Sequence, residues 1–187
     1  GLISYPRTDS TRLSETFLVK ARAFIKNKYG EQYVANDIKG FSGDQDAHEA
    51  IRPTDISLDP EQAAKKYQLS SYEYKVYSII WYTTMKAIMT VPVREILRYE
   101  LENNNHKFKL SSSKVIFDGY LVLSQKDLEK ELPKFNINDL VDVQEYLTLD
   151  HETKPPAHYT DGSLIEKLDE IKVGRPSTFA TTVEKIL

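Results

Sequence analysis

The sequence predicts a mixed α and β, multidomain fold. A mainly helical domain runs to about residue 90, a strand-rich domain covers 91–153, and a further helical domain starts over 154–187. Three observations predict it. Apolar residues before residue 90 recur at three- and four-residue spacing behind clear N-cap strings. Between 93 and 150 they alternate at period two. Lys154-Pro155-Pro156 then forms a stiff break.

In chain order, Phe17, Leu18, Ala21, Phe24 and Ile25 predict the first helix, with Ser14 as N-cap and Gly30 as its stop. Asp59-Pro60-Glu61-Gln62 sets an N-cap, a first-turn Pro and a capping-box Gln in order. Ser70-Ser71-Tyr72-Glu73 repeats the box and opens a long helix that must end near Val91-Pro92. Val93, Leu97, Tyr99 and Leu101 share one face of a strand, and Asn103-Asn104-Asn105 marks a turn. Asp118-Gly119 signals a turn or a bulge. Val141, Val143, Leu147 and Leu149 predict another strand, with Glu145 breaking the alternation. A short helix is expected from about Asp161 to Ile171, closed by Gly174, and another from near Ser177.

Bulk composition removes several classes. Cysteine is absent, which excludes disulfide frameworks, thiolate metal sites and a Cys nucleophile. The densest apolar run, Val76 to Tyr82, is far short of the roughly 18 residues a membrane span needs. No signal segment opens the chain, and its first residues, Gly1-Leu2-Ile3, read as the interior of a longer protein. The net charge of −3 argues against a general nucleic-acid binder only at first sight. Residues 1–28 hold six Lys and Arg against two Asp and Glu, whereas residues 127–152 hold two against eight. The basic end is compatible with phosphate contacts that the total conceals.

Three strings hold candidate chemistry. The first twelve residues gather Tyr5, Arg7, Thr8, Asp9, Ser10 and Arg12 in a Pro-kinked polar segment. An ordinary Tyr hydroxyl has a pKa near 10, so ionising it at pH 7 costs about 4 kcal/mol. Neighbouring guanidiniums reduce that cost, grip a phosphate and neutralise charge developing at phosphorus. Tyr-x-Arg is therefore sensible for a phosphoryl-accepting nucleophile, although most of the 12 tyrosines are expected to be packing residues.

The second string, Asp44 to Thr54, contains His48 with Glu49 beside it and Arg52 four residues on. Such a His can donate to a phosphate oxygen or hold a proton near neutral pH. A zincin motif would need a second His at position 52, where Arg stands. Asp44 and Asp46 are candidate divalent-ion ligands, but the loop lacks the other acidic positions of an EF-hand, and a solvated loop is the plain alternative. The third string is Gly174-Arg175-Pro176-Ser177-Thr178 before an apolar helix. It is either a phosphate seat at a helix N-terminus or an ordinary cap with a surface Arg.

Together and in this order, these strings resemble type IA DNA topoisomerases of the bacterial kind. Gly1-Leu2-Ile3-Ser4-Tyr5-Pro6-Arg7-Thr8-Asp9-Ser10-Thr11 is similar to that family's active-site tyrosine segment. Asp46-Ala47-His48-Glu49-Ala50-Ile51-Arg52-Pro53-Thr54 is similar to its His-containing segment. Lys154-Pro155-Pro156 through Tyr159-Thr160, then Gly174 to Thr178, resemble strings at its single-strand-binding gate. The likeness covers nearly the whole chain.

The resemblance implies that Tyr5 attacks a backbone phosphate of single-stranded DNA, takes the 5′ side and releases a 3′-hydroxyl. It assigns Arg7 and His48 to the scissile phosphate, and Asp9, Ser10, Arg12, Arg52, Arg175, Ser177 and Thr178 to the DNA strand. It makes 1–90 the tyrosine-bearing domain, 91–153 the arch or hinge domain and 154–187 the start of the gate domain. The family also uses a Toprim domain whose acidic cluster binds Mg²⁺; that domain is expected outside these residues, so no metal ligand is assigned here. The implied partners are single-stranded and negatively supercoiled DNA and the remaining domains of the polypeptide, in the bacterial cytoplasm at the nucleoid, with no membrane. The fragment alone is expected to be inactive in relaxation.

Pro6 stands where many bacterial relatives carry Met and is more typical of the decatenating subgroup, while Ala47-His48-Glu49-Ala50 and Asp9-Ser10-Thr11 favour the relaxing one. His158 stands where an Arg commonly follows the Pro-Pro string. Type IB topoisomerases and tyrosine recombinases also combine Tyr, Arg and His, but there the Tyr follows the set; here it leads. A non-catalytic DNA clamp is the remaining alternative.

Overall fold

The computed structural model describes residues 1–8, 10–38, 48–124 and 134–186, and its elements mix helix and strand. The chain divides into two compact units, Gly1–Lys134 and Phe135–Leu187. The change of pattern near residue 90 is a change of element type within the first unit.

The first unit is built on α1 (Glu15–Tyr29), α2 (Pro60–Tyr67) and α3 (Ser71–Ile88). Tyr77, Trp81, Met85 and Ile88 recur on one stripe of α3 and meet Phe17, Ala21 and Ile25 of α1 in a common core. Ala63 of α2 and Ile56 from the preceding loop complete it. The two large aromatics in this core have satisfied polar tips: Trp81 Nε1 donates to the Ile56 carbonyl at 2.9 Å, and Tyr77 Oη to the Leu58 carbonyl at 2.8 Å. Burial pushes the Tyr77 hydroxyl up to about 12.

Two of the three expected N-caps form, although Gln62 does not complete the reciprocal box at α2. Asp59 accepts from the Gln62 N–H at 2.8 Å, and Ser70 with Glu73 closes a reciprocal box. Gly30 ends α1 at φ 109°. Ser14 occupies the N-cap position of α1, but its hydroxyl bonds the Glu49 carboxylate instead of the helix backbone.

Beyond α3, β1 (Val93–Asn103) and β2 (His106–Phe117) pair antiparallel as a two-stranded hairpin. The Asn103–His106 pair closes it around Asn104 and Asn105, both with positive φ as a two-residue turn of the primed type requires. Tyr99 faces Leu110 and Leu101 faces Phe108 across the ladder. The bulge falls between Val93 and Arg94, opposite Ile116, and Asp118-Gly119 is the turn beyond it. Gly119 sits at φ 49°, where a Cβ would collide with the Thr90 carbonyl and the Val91–Pro92 peptide. The hairpin's root is fixed at that point by Tyr33 Oη donating to Asp118 at 2.7 Å and by the Tyr33 ring against Phe117.

The second unit contains α4 (Asp161–Glu170) and α5 (Phe179–Ile186), packed through Leu168, Phe179 and Val183. A Thr160–Ser163 box opens α4. Its end differs from expectation: Lys172, at φ 60°, takes the left-handed position, and Val173 N–H reaches back to the Leu168 carbonyl. Gly174, at φ 85°, makes the following turn, where a Cβ would press the Phe179 ring.

The strand expected from Val141, Val143, Leu147 and Leu149 is not formed. This stretch belongs to no ladder, and those four residues are 41% to 75% exposed. Alternation sets which residues share a face; a strand also needs a neighbour for its N–H and C=O groups, and none of the described residues supplies one.

Candidate functional site

The first residues and the His48 segment are separated by more than forty positions and lie side by side. Ile3 bridges Pro53 antiparallel; Ser4 N–H donates to the Arg52 carbonyl at 2.9 Å and Thr54 N–H to the Leu2 carbonyl at 3.0 Å. Farther along, Ala50 N–H donates to the Arg12 carbonyl at 2.8 Å. Ser4 adds a side-chain link: its hydroxyl donates to the Ala50 carbonyl at 2.8 Å and accepts from the Arg52 N–H at 3.0 Å. These bonds satisfy backbone that belongs to no regular element, so the segment holds its shape without being a helix or a long strand.

That pairing brings Tyr5, Arg7 and His48 together. The Tyr5 and His48 rings stack with centroids 6.2 Å apart and planes at 28°. The Arg7 guanidinium carbon lies 5.7 Å from the centre of the Tyr5 ring. Tyr5 is 69% exposed, unlike the tyrosines of the core. Arg7 Nε is shielded from solvent and has no hydrogen-bond partner among the described residues. The arrangement presents an open phenol to solvent with a fixed cation and an imidazole on its flanks.

Two expected DNA contacts turn inward. Ser10 is 5% exposed, and its hydroxyl accepts the Arg12 N–H at 3.1 Å. Arg52 donates from Nε and Nη2 to Glu49, at 2.8 and 2.6 Å, and from Nη1 to the Pro53 carbonyl at 3.0 Å. Its guanidinium carbon stands 4.2 Å above the Phe17 ring centre. Burial raises the Glu49 carboxyl, but hydrogen bonds from Arg52 and Ser14 and the charges of Arg52 and Arg12 outweigh it and hold Glu49 below its ordinary range.

Asp9, Asp44 and Asp46 lie outside the described residues. Arg175, Ser177 and Thr178 are exposed in the second unit, at the turn before α5. There Thr178 Oγ1 accepts the Arg175 N–H at 2.9 Å, and Thr178 N–H donates to the Arg175 carbonyl. The described residues gather no group of three or more His, Asp or Glu, and no step below passes through a metal.

Sequence reasoning gave Ser4 no role, placed Ser14 only as a cap and Phe17 only in the core, and did not pair Glu49 with Arg52 over the Phe17 ring. A Ser between Ile3 and Tyr5, or a Phe on a core stripe, has no local pattern that distinguishes it; only the pairing of distant segments does.

A family model described as DNA topoisomerase matches residues 1–187. DNA topoisomerase 1 of Mycoplasma pneumoniae is 39% identical over 97% of this chain, which spans 27% of that relative's length. The full-length topoisomerase I structure from Thermotoga maritima matches the whole chain with a TM-score of 0.75 and 33% identity, the match covering 30% of that chain. Among the described residues no helix is long and apolar enough to cross a membrane. The chain belongs to the bacterial family of type IA DNA topoisomerases.

Proposed function

We propose that this chain contributes the nucleophile and its immediate partners to transient cleavage of one DNA strand, and so to relaxation of negative supercoils by strand passage. The observation that carries the reading is the exposed Tyr5 flanked by Arg7 and His48. Tyr5 Oη attacks phosphorus and gives up its proton as the P–O bond to the 3′ oxygen breaks. The departing oxygen takes a proton and leaves as a 3′-hydroxyl, and the 5′ phosphate remains on Tyr5. Religation is the reverse, exchanging one phosphoester for another, so no nucleotide hydrolysis is needed.

Arg7 supports the reading through its shielded Nε. A buried donor without an acceptor costs about 1–3 kcal/mol, and a phosphate oxygen would relieve that cost. His48 is placed to donate to the same phosphate or to hold the phenolic proton. Arg12 on the same segment, and Arg175, Ser177 and Thr178 at the α5 turn, are proposed strand contacts. Mg²⁺ is proposed to be held mainly by residues beyond these 187, as is the remainder of the relaxing machinery. The 187 residues alone are therefore expected to leave supercoiled plasmid unrelaxed. Whether the natural protein relaxes or decatenates is read by assaying both substrates; the Ala47-His48-Glu49-Ala50 string favours relaxation.

The test is covalent trapping on a single-stranded oligonucleotide labelled at one end or the other. A 3′-end label that stays with denatured protein, and is lost with Tyr5→Phe, supports the reading. Retention of the 5′-end label, or undiminished adduct with Tyr5→Phe, would sink it and leave a DNA clamp.

A further inference from the structure

The Glu49–Arg52 pair lies in the same segment as His48, and its charged groups are bonded to one another and to the protein around them. Arg52 is 15% and Glu49 28% exposed at the side chain, and all three guanidinium nitrogens of Arg52 are engaged within the protein. Glu49 also takes the Ser14 hydroxyl, which would otherwise cap α1, and lies within reach of the Arg12 charge. Phe17, 4% exposed in the core, is the floor on which the guanidinium lies. The pair thus ties the stretch from His48 to Pro53 to the start of α1. Main-chain bonds from Leu2 and Ser4 tie the same stretch from its other side. A stretch that is neither helix nor ladder strand would otherwise sample several backbone states, and a ring displaced by about 1 Å can cost roughly a hundredfold in rate.

We propose that Glu49 and Arg52 are positioning residues for strand cleavage, fixing the backbone of the His48 segment on Phe17 and thereby where the His48 ring stands beside Tyr5. This rests on the proposed role of His48 and deepens it; it also moves Arg52 from a DNA contact to an internal fork. Lys at position 52 keeps the charge but has no fork with which to hold Glu49 and the Pro53 carbonyl together.

The experiment is a double-mutant cycle in the natural polypeptide, reading cleavage at saturating oligonucleotide and the concentration for half-saturation. Arg52→Lys is expected to lower the saturated rate about tenfold or more, with half-saturation changed less than about twofold. In a His48→Ala background the same substitution is expected to cost less than about twofold, because Arg52 acts through that ring. Equal cost in both backgrounds would overturn the proposal while leaving His48 catalytic. A raised half-saturation with an unchanged rate would also overturn it and make Arg52 a DNA contact. No loss from His48→Ala alone would instead remove the reading beneath it. Thermal unfolding checks each variant, and Glu49→Gln runs the same cycle if Arg52→Lys fails to fold.

Discussion

Two stretches of irregular chain behave differently. Residues 1–12 and 48–54, where described, are irregular by sequence and well bonded in the structure: Ser4, Arg52, Thr54, Ala50 and Leu2 exchange backbone and hydroxyl bonds over a core platform. Residues 141–149 alternate like a strand, yet no ladder among the described residues pairs them, and Val143, Leu147 and Leu149 remain 54%, 75% and 74% exposed. Order therefore follows from available partners, and periodicity alone does not provide them. A reactive group is useful only on the first kind of chain, because only there is its place fixed.

The difference can be broken most forcefully from below. Phe17→Ala removes a core ring and the floor under Arg52, and is expected to lower stability by about 3–5 kcal/mol in denaturant unfolding. A change under 1 kcal/mol would mean that α1 does not support the site. Ser4→Ala leaves the Arg52 N–H without its acceptor and the Ala50 carbonyl without its donor, for an expected loss of about 1–3 kcal/mol. Its cleavage rate should fall more than its DNA affinity.

A pH series sharpens the electrostatic side. Glu49 is held below the ordinary 4.5, so its ionised form is favoured by folding. The stability it contributes is present above about 4.5 and is lost as pH falls through its lower folded value. Wild type should thus lose stability relative to Glu49→Gln in that acid window. Parallel curves would contradict the pairing.

The smallest effect belongs to the unpaired stretch. Leu147→Ser is expected to change stability by less than about 0.5 kcal/mol. Its amides should exchange far faster than those of Leu97 to Leu101 in β1. Strong protection over 141–149 in the natural polypeptide would show that a partner strand lies outside the described residues.

Much of the fold was legible where the signal is local. The Asn104-Asn105 turn, the Ser70–Glu73 box, the Asp59-Pro60 start and the Gly30 stop are decided by a few neighbouring residues, and each appears where its string stands. The helix that was expected from Asp161 to Ile171 ends there, but its closing residue and the 141–149 stretch differ from expectation for opposite reasons. Lys172 tolerates a left-handed backbone that Gly174 was expected to take, and 141–149 lacks the non-local partner that a strand requires. At the site, residue types pointed to Tyr5, Arg7 and His48, but no sequence signal told that Ser10 and Arg52 face inward. That depends on Phe17 and Glu49 meeting across distant segments.

The central claim is that Tyr5 becomes the covalent link. The direct measurement is mass analysis of the adduct trapped on single-stranded DNA, after nuclease trimming and proteolysis. The account predicts a nucleotide attached through its 5′ phosphate to Tyr5, in the peptide spanning Ile3 to Arg7. Attachment at any other residue, or through a 3′ phosphate, would contradict it.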